Sequence, residues 1–139
     1  QSVLDMGCGT GVLAIAAKKL GAQRVVAIDI DEWSYENTQS NAALNAITDM
    51  EILHGDATLL QQFPHAFDGI CANIHRNILV ADWAAYDAAL KPGGWALMSG
   101  FYPSDVAHLT TEAAAHGWAL KGEWERDGWA CVQWEKAGA

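Results

Sequence analysis

Short apolar runs alternate with helical segments along most of this chain, and this alternation limits the folds open to it. Five runs have the composition of strands, at 3–6, 24–30, 50–54, 67–73 and 95–102. Four segments have the composition of helices, at 12–20, 31–46, 78–90 and 103–116. Strands that alternate with helices form βαβ units, which build a parallel sheet covered on both faces. The sequence therefore predicts a doubly wound α/β fold.

Two further runs, at 118–126 and 129–136, flank the dipeptide Asp127-Gly128. Asp-Gly between two strand-like runs is a strong hairpin signal, because both residues tolerate the positive φ of a tight turn. We expect this C-terminal hairpin to add antiparallel strands to an otherwise mostly parallel sheet, which brings the sheet to seven strands. A chain of 139 residues has the size of one domain, and we assign residues 1–139 to a single domain.

The charge balance narrows the classes of partner. Asp and Glu number 17 against 8 Lys and Arg, so the formal net charge is −9. Proteins that bind nucleic acid nonspecifically concentrate Lys and Arg against phosphates, so we expect no direct nucleic-acid binding. A basic protein substrate suits an acidic surface better.

The cysteines and histidines give no sign of a disulfide framework or a metal site. The three cysteines form no C-x-x-C pair, and the five histidines do not have metal-ligand spacing. No apolar run is long enough to cross a bilayer, and we expect no signal peptide. We therefore expect a reduced, cytoplasmic protein without a bound metal or a membrane partner.

The first strand ends in a glycine-rich turn, Asp5-Met6-Gly7-Cys8-Gly9-Thr10-Gly11. In doubly wound sheets a ligand binds at the carboxyl ends of the strands. A strand, a glycine turn and a helix in succession can bring backbone N–H groups against that ligand, so we predict contacts from Gly7, Cys8, Gly9 and Gly11. The carboxylate of Asp5 would repel a pyrophosphate but would attract a cationic group.

Acidic residues also follow the second and third strands. Asp29 can accept both hydroxyls of an unphosphorylated ribose, and Asp56 can accept a hydrogen from an amino group such as that of adenine. Their neighbours Ile30 and Ala57 are predicted to line the same site. An ammonium, a free ribose and an adenine without phosphate occur together in S-adenosylmethionine, which is the predicted cofactor. The alternative is that these aspartates only form turns after strands.

These motifs resemble the class I S-adenosylmethionine-dependent methyltransferases over essentially the whole chain. Within that class the chain is most similar to the ribosomal protein L11 methyltransferase (PrmA) family. Segments shared by many methyltransferases lie at 3–11, 27–31 and 90–94. The narrower resemblance lies in Asn73-Ile74-x-x-Asn77 and in Ser99-Gly100-Phe101-Tyr102, with support from Glu36-Asn37, Asn41 and Asn45. It implies a Rossmann-like fold and N-methylation of lysine side chains and of the N-terminal amine of a large-subunit ribosomal protein.

The resemblance also implies a separate N-terminal substrate-recognition domain ahead of the catalytic one. We interpret the chain, which opens on Gln1 and not on Met, as a catalytic domain of a longer protein. On this interpretation, an exposed apolar patch is expected near Val3, where an upstream segment would cover the sheet.

Asn73, at the end of the fourth strand, is the predicted catalytic residue. Its side-chain oxygen can accept hydrogens from an amine and orient the nitrogen lone pair, and it is also predicted to contact the cofactor. Ile74, Asn77 and Tyr102 are predicted to face the substrate. Three alternatives stay open: Asn73 as a turn cap, a methyltransferase acting on a small molecule or RNA, and a noncatalytic cofactor-binding subunit. The signature Asn-Pro-Pro-aromatic for planar base amines is replaced by Asn73-Ile74-His75-Arg76.

Overall fold

The computed structural model describes residues 1–138, and within them one mixed sheet of seven strands is covered by helices on both faces. The strands are β1 Ser2–Met6, β2 Arg24–Asp29, β3 Glu51–His54, β4 Phe67–Asn73, β5 Leu90–Phe101, β6 Trp118–Arg126 and β7 Trp129–Lys136. The α-helices are α1 Val12–Lys19, α2 Glu32–Leu44, α3 Arg76–Ala89 and α4 Val106–Ala115, with short 3-10 helices at Ala57–Gln62 and Pro103–Asp105. The predicted doubly wound α/β fold is confirmed. Within the same residues, none of the helices has the length and apolar character needed to cross a membrane.

The order of the strands in the sheet is β3-β2-β1-β4-β5-β7-β6. Strands β1 to β5 pair in parallel, whereas β7 pairs antiparallel with β5 on one side and with β6 on the other. The chain order reverses where β1 meets β4, and this switch point is where doubly wound sheets bind ligands. Gly7 follows β1 and Asn73 ends β4, so both lie at this crevice.

The structure corrects several predicted boundaries. Helix α3 begins at Arg76, before the predicted start, and β5 begins at Leu90, inside the segment that was predicted to be a helix end and a turn. Leu90 already has extended backbone and pairs with Phe67, after which the register shifts and Trp95 pairs with Gly69. The intervening residues bulge from the ladder, because Pro92 has no N–H to donate to it. The 3-10 helix Ala57–Gln62 was not predicted, and the predicted helix at 103–116 divides into a 3-10 turn and α4.

The expected exposed apolar patch near Val3 is not present. Val3 is 5% exposed and Leu4 is fully buried. Side chains alternate along a strand, so Val3 shares a face of β1 with Asp5, and Asp5 lies beneath the first turn of α1. That face is therefore covered within the described residues, and the exposed apolar side chains of this region are Val12 and Leu13 of α1 itself.

Asp31 is the N-cap of α2, and this cap gives a first prediction. Asp31 Oδ2 accepts hydrogen bonds from the backbone N of Ser34 at 3.2 Å and from Ser34 Oγ at 3.0 Å. We expect Asp31→Ala to lower the free energy of unfolding by about 1 kcal/mol, measured by urea denaturation, because the first turn loses its acceptor. Glu36→Ala on the exposed face of α2 is the control, with an expected change below about 0.5 kcal/mol. Equal losses in the two variants would contradict a capping role for Asp31.

Candidate functional site

A cavity of about 770 Å³ opens at the carboxyl ends of the central strands, in the range of small-molecule sites. The predicted site residues that line it are Gly7, Asp29, Ile30, Asp56, Ala57, Asn73 and Ile74. They come from four different strand ends. The parallel sheet therefore brings together residues that are far apart in sequence.

Hydrogen bonds from its backbone N–H groups hold the glycine turn after β1 in place. The N–H groups of Gly7 and Cys8 both donate to the carbonyl of Ile28, at 2.8 and 3.1 Å, and the N–H of Gly11 donates to the carbonyl of Cys8. Gly9 N–H donates to Asp29 Oδ2. These donors therefore shape the loop instead of pointing at a ligand. Among the four residues, only Gly7 lines the cavity, and a Cβ there would lie 3.0 Å from Ile74 Cγ1 at a φ of +72°.

Asp29 links the loops that follow β1 and β2. Its Oδ2 accepts from the backbone N of Gly9 and its Oδ1 from that of Asp31, both at 2.9 Å. Each carboxylate oxygen has a second lone pair, so the group can still accept two hydroxyls from a ligand in the cavity. The same side chain can thus order the glycine turn and face the ligand.

Asp5 and Cys8 lie beneath the loop and do not line the cavity. Asp5 is 2% exposed, and its Oδ2 accepts from the backbone N of Ala14 at 3.2 Å. The Cys8 Sγ lies 3.3 Å from Thr38 Oγ1, and burial raises the pKa of this thiol to about 11. Both side chains support the loop from within the protein.

Burial also raises the pKa of Asp5 to about 6 from its ordinary 3.8; the charge of Asp29 adds to this and the Ala14 hydrogen bond opposes it. Below about pH 4 the carboxyl is protonated in both the folded and the unfolded chain. As the pH rises from about 4 to about 6, the Asp5 carboxyl ionises in the unfolded chain but stays protonated in the folded one. The free energy of unfolding therefore falls by up to about 3 kcal/mol from its value below pH 4. We expect the stability of Asp5→Asn relative to the parent to rise over this window and to level off above it, as measured by urea denaturation at several pH values.

The control for this titration is Asp127→Asn, at a carboxylate that is 88% exposed in the hairpin turn. The stability of Asp5→Asn relative to the parent should depend more strongly on pH over this window than that of this exposed variant. A flat stability difference between Asp5→Asn and the parent would contradict a buried, protonatable Asp5.

Asn73 stands at the cavity edge of β4, beside the end of β5. The backbone N of Ile74 donates to the carbonyl of Ser99 at 3.0 Å, which holds the two strand ends together. Gly100 has a φ of +96°, and a Cβ at this position would lie 2.6 Å from Asn73 Oδ1 and 2.9 Å from the Ile74 nitrogen. The bare backbone of Gly100 therefore packs directly against the Asn73 amide and limits where that amide can lie.

The remaining predicted substrate residues, Asn77 and Tyr102, line a second cavity of about 290 Å³. This cavity adjoins the first, with His75, Gly100 and Trp129 on both walls. The Tyr102 ring stacks on Trp129 at a centroid distance of 4.9 Å. The three residues predicted to face the substrate therefore lie in two cavities: Ile74 lies beside Asn73 in the larger one, and Asn77 and Tyr102 line the smaller one.

Several lining residues were not predicted from the sequence. They are Met6, Gly55, His75, Ile78, Asp82, Tyr86, Ser99, Gly100 and Trp129. A signal for three of them exists in the spacing of Ile78, Asp82 and Tyr86, which places an acid within an apolar stripe of α3. The lining residues of the larger cavity include three aspartates but no Lys or Arg within the described chain, so the cavity does not have the charge of a phosphate site. In that part of the chain, no group of three or more His, Cys, Asp or Glu residues could hold a metal ion.

Comparison with known sequences identifies relatives along nearly the whole chain. The sequence model of the ribosomal protein L11 methyltransferase (PrmA) family matches residues 1–137. The ribosomal protein L11 methyltransferase of Porphyromonas gingivalis is 53% identical over 131 residues, which cover 94% of this chain and 45% of that protein. The Bacteroides fragilis protein of the same name is 45% identical over 133 residues, or 96% of this chain and 47% of the relative. The chain spans about half the length of the curated relatives it matches.

Solved structures share the fold. The ribosomal protein L11 methylase from Lactobacillus delbrueckii subsp. bulgaricus superposes with a TM-score of 0.89 at 32% identity, covering 98% of this chain and 70% of that one. Trm1 from Pyrococcus horikoshii, which was solved with S-adenosyl-L-methionine, superposes with a TM-score of 0.82 at 16% identity, covering 100% of this chain and 51% of Trm1. At that identity the similarity concerns the fold alone. The resemblance drawn from the strand-end motifs is confirmed, and the chain belongs to the ribosomal protein L11 methyltransferase (PrmA) family.

Proposed function

We propose that this chain is the catalytic domain of a protein N-methyltransferase that uses S-adenosylmethionine to methylate lysine side chains and the N-terminal amine of ribosomal protein L11. The observation that carries the proposal is that Asp29, Asp56 and Asn73, from three strand ends, line one cavity. Support for the substrate comes from the relatives, which are named for methylation of this ribosomal protein.

The lining residues fit S-adenosylmethionine. Hydrogen bonds from Thr58 hold the pKa of Asp56 below its usual range, so this carboxylate is an ionised acceptor for an exocyclic amine. Asp29 keeps lone pairs free for ribose hydroxyls, and Gly7 permits close approach of the ligand to the backbone. The acidic wall without Lys or Arg suits a cofactor that is cationic and has no phosphate.

The cofactor, when bound, supplies an electrophilic methyl group. A lysine amine has a pKa of about 10.4 and must lose its proton before it can react, and the apolar wall of Ile74 and Ile78 favours the neutral form. Asn73 then accepts an N–H of the amine through Oδ1 and turns the nitrogen lone pair toward the methyl carbon. Because the reaction is an in-line displacement, this positioning supplies much of the acceleration, and the amine proton leaves to solvent.

The surface beyond Asn73 suits a protein substrate. The second cavity, with Asn77 and Tyr102, extends the site outward from the reacting position. The formal net charge of −9 attracts a basic partner and disfavours RNA.

Two measurements test the proposal. Isothermal titration calorimetry of this chain with S-adenosylmethionine should show binding; a folded chain without binding contradicts the cofactor assignment. Mass spectrometry of purified L11, after incubation with the cofactor and the longer protein that contains this chain, should show added methyl groups on amines. Unmodified L11 together with methylation of RNA or of a small molecule would contradict the substrate assignment.

A further inference from the structure

Two large aromatic side chains stand exposed where the two cavities adjoin. Tyr102 is 56% exposed and Trp129 is 48% exposed, and their rings stack at a centroid distance of 4.9 Å with an interplanar angle of 15°. Trp129 lines both cavities, and Tyr102 lines the smaller one. Neighbouring apolar side chains that stay exposed at the mouth of a cavity are typical of a binding surface.

The register of the sheet places Trp129 near Asn73. Asn73 pairs with Ser99 of β5, and Ser99 pairs with Cys131 of β7, so these three residues form one row across the sheet. Trp129 precedes Cys131 by two residues and therefore lies on the same face of the sheet. Because β7 runs antiparallel to β5, Trp129 is displaced from this row toward the carboxyl end of β5, where the larger cavity opens.

Tyr102 is held in place by polar contacts of its backbone. Its backbone N donates to Asp105 Oδ2 at 2.9 Å, and Asp105 Oδ1 lies 3.1 Å from Nη1 of Arg76 in α3. The 3-10 helix Pro103–Asp105 thereby anchors the Tyr102 backbone to α3. The stacked tyrosine ring in turn limits the orientation of the Trp129 indole.

Asn73 can position an amine by hydrogen bonding only while the nitrogen carries a hydrogen. A neutral lysine amine has two N–H groups, the monomethylated amine has one, and the dimethylated amine has none. In each round the nitrogen lone pair forms the new N–C bond while the C–S bond breaks with its electron pair on sulfur. After the first and second rounds, the ammonium product loses a proton to solvent. A dimethylated amine therefore needs a surface that contacts its methyl groups if it is to be positioned for a third round.

We infer that Trp129, with Tyr102 stacked on it, positions amines that already carry methyl groups. An aromatic face attracts a methylated ammonium group and packs against its methyl groups without requiring a hydrogen bond. As methyl groups replace N–H groups from one round to the next, contacts with Trp129 take over from the hydrogen bond to Asn73. The inference rests on the proposed function, because it assigns residues to later rounds of the same reaction.

Mass spectrometry of L11 peptides over time tests this role, with the longer protein that contains this chain and with saturating S-adenosylmethionine. The time courses give the ratio of the third-round rate to the first-round rate at each modified amine. Trp129→Leu should lower this ratio by about 10-fold, because leucine is apolar but has no aromatic face. Trp129→Phe keeps an aromatic face and should stay within about 3-fold of the parent ratio. Asn73→Ala should raise the ratio, because the first round depends most on its hydrogen bond.

Trp124→Leu is the matched control, since Trp124 is 54% exposed in the neighbouring strand β6 and lines neither cavity. It should leave the ratio unchanged. Tyr102→Ala removes the stacked ring and should lower the ratio by about 3-fold. Because Tyr102 is exposed, this variant decides the question if Trp129→Leu does not fold.

The two levels of the proposal fail differently. If the parent methylates L11 while folded Trp129→Leu and Tyr102→Ala keep its ratio within about 2-fold, the role of the aromatic pair is overturned. A parent that adds only one methyl group to each amine overturns that role as well. A folded parent that leaves L11 unmodified overturns the proposed function itself.

Discussion

Asn73→Ala should lower the rate of methyl transfer to L11 by about 100-fold while weakening the binding of S-adenosylmethionine only a few-fold. The reason is that Asn73 lies at the cavity edge of β4, where its oxygen can orient the incoming amine, and misplacing a reacting group by about 1 Å is enough for such a loss. On the proposed function Asp29 and Asp56 also bind the cofactor, so cofactor binding should survive the substitution. Single-turnover rates give the first quantity and calorimetry gives the second.

Asn45→Ala is the control for this experiment. Its amide donates only to the Asn41 carbonyl, at the exposed end of α2, and it should leave rate and affinity unchanged. Equal losses of rate and affinity in Asn73→Ala would contradict the catalytic role and would favour a turn cap.

Gly100→Ala should have a second large effect, on stability and activity together. The new methyl group would stand 2.6 Å from Asn73 Oδ1 and 2.9 Å from a backbone nitrogen that is fixed by its bond to Ser99. We expect the free energy of unfolding to fall by about 2–4 kcal/mol, from the positive φ and the overlap together. Because the Asn73 amide is displaced, the rate of methyl transfer should fall by about 100-fold.

Gly93→Ala separates the effect of a positive φ from the effect of steric overlap. Gly93 has a φ of +78°, but nothing lies within 4 Å of the position that a Cβ would take. This variant should lose only the backbone contribution of about 1–2 kcal/mol and should retain activity. If Gly100→Ala behaved like Gly93→Ala, the close packing of Gly100 on Asn73 would have no functional consequence.

Local signals in the sequence were enough to predict most of the helices and strands. The apolar runs and the Asp127-Gly128 turn predicted β4, β6 and β7 with the bounds that are observed. The start of β5 was missed because Pro92, Gly93 and Gly94 favour a turn, whereas pairing of Leu90 with Phe67 extends the strand through them. A six-residue 3-10 helix has too little apolar periodicity to be recognised.

The candidate site was predictable where it depends on position along a strand. Asp29, Asp56 and Asn73 were found because parallel strands end at the same edge of a sheet. Asp82 and Trp129 were not predicted, because Asp82 reaches the cavity from within α3 and Trp129 from the start of the antiparallel strand β7, and not from a place after a parallel strand. The role of Gly100 depends equally on a contact between strands, which no local pattern reports.

The position of β7 ties completion of the site to a late step of folding. β7 is the last described strand in sequence, yet it lies between β5 and β6, and its first residue, Trp129, lines both cavities. During synthesis, the residues proposed to bind ribose, adenine and amine would emerge before the strand that finishes their enclosure. Contacts of this kind join distant parts of the chain and form slowly. A nascent chain should therefore acquire ligand affinity in one step, when β7 inserts, and not gradually as each strand end appears.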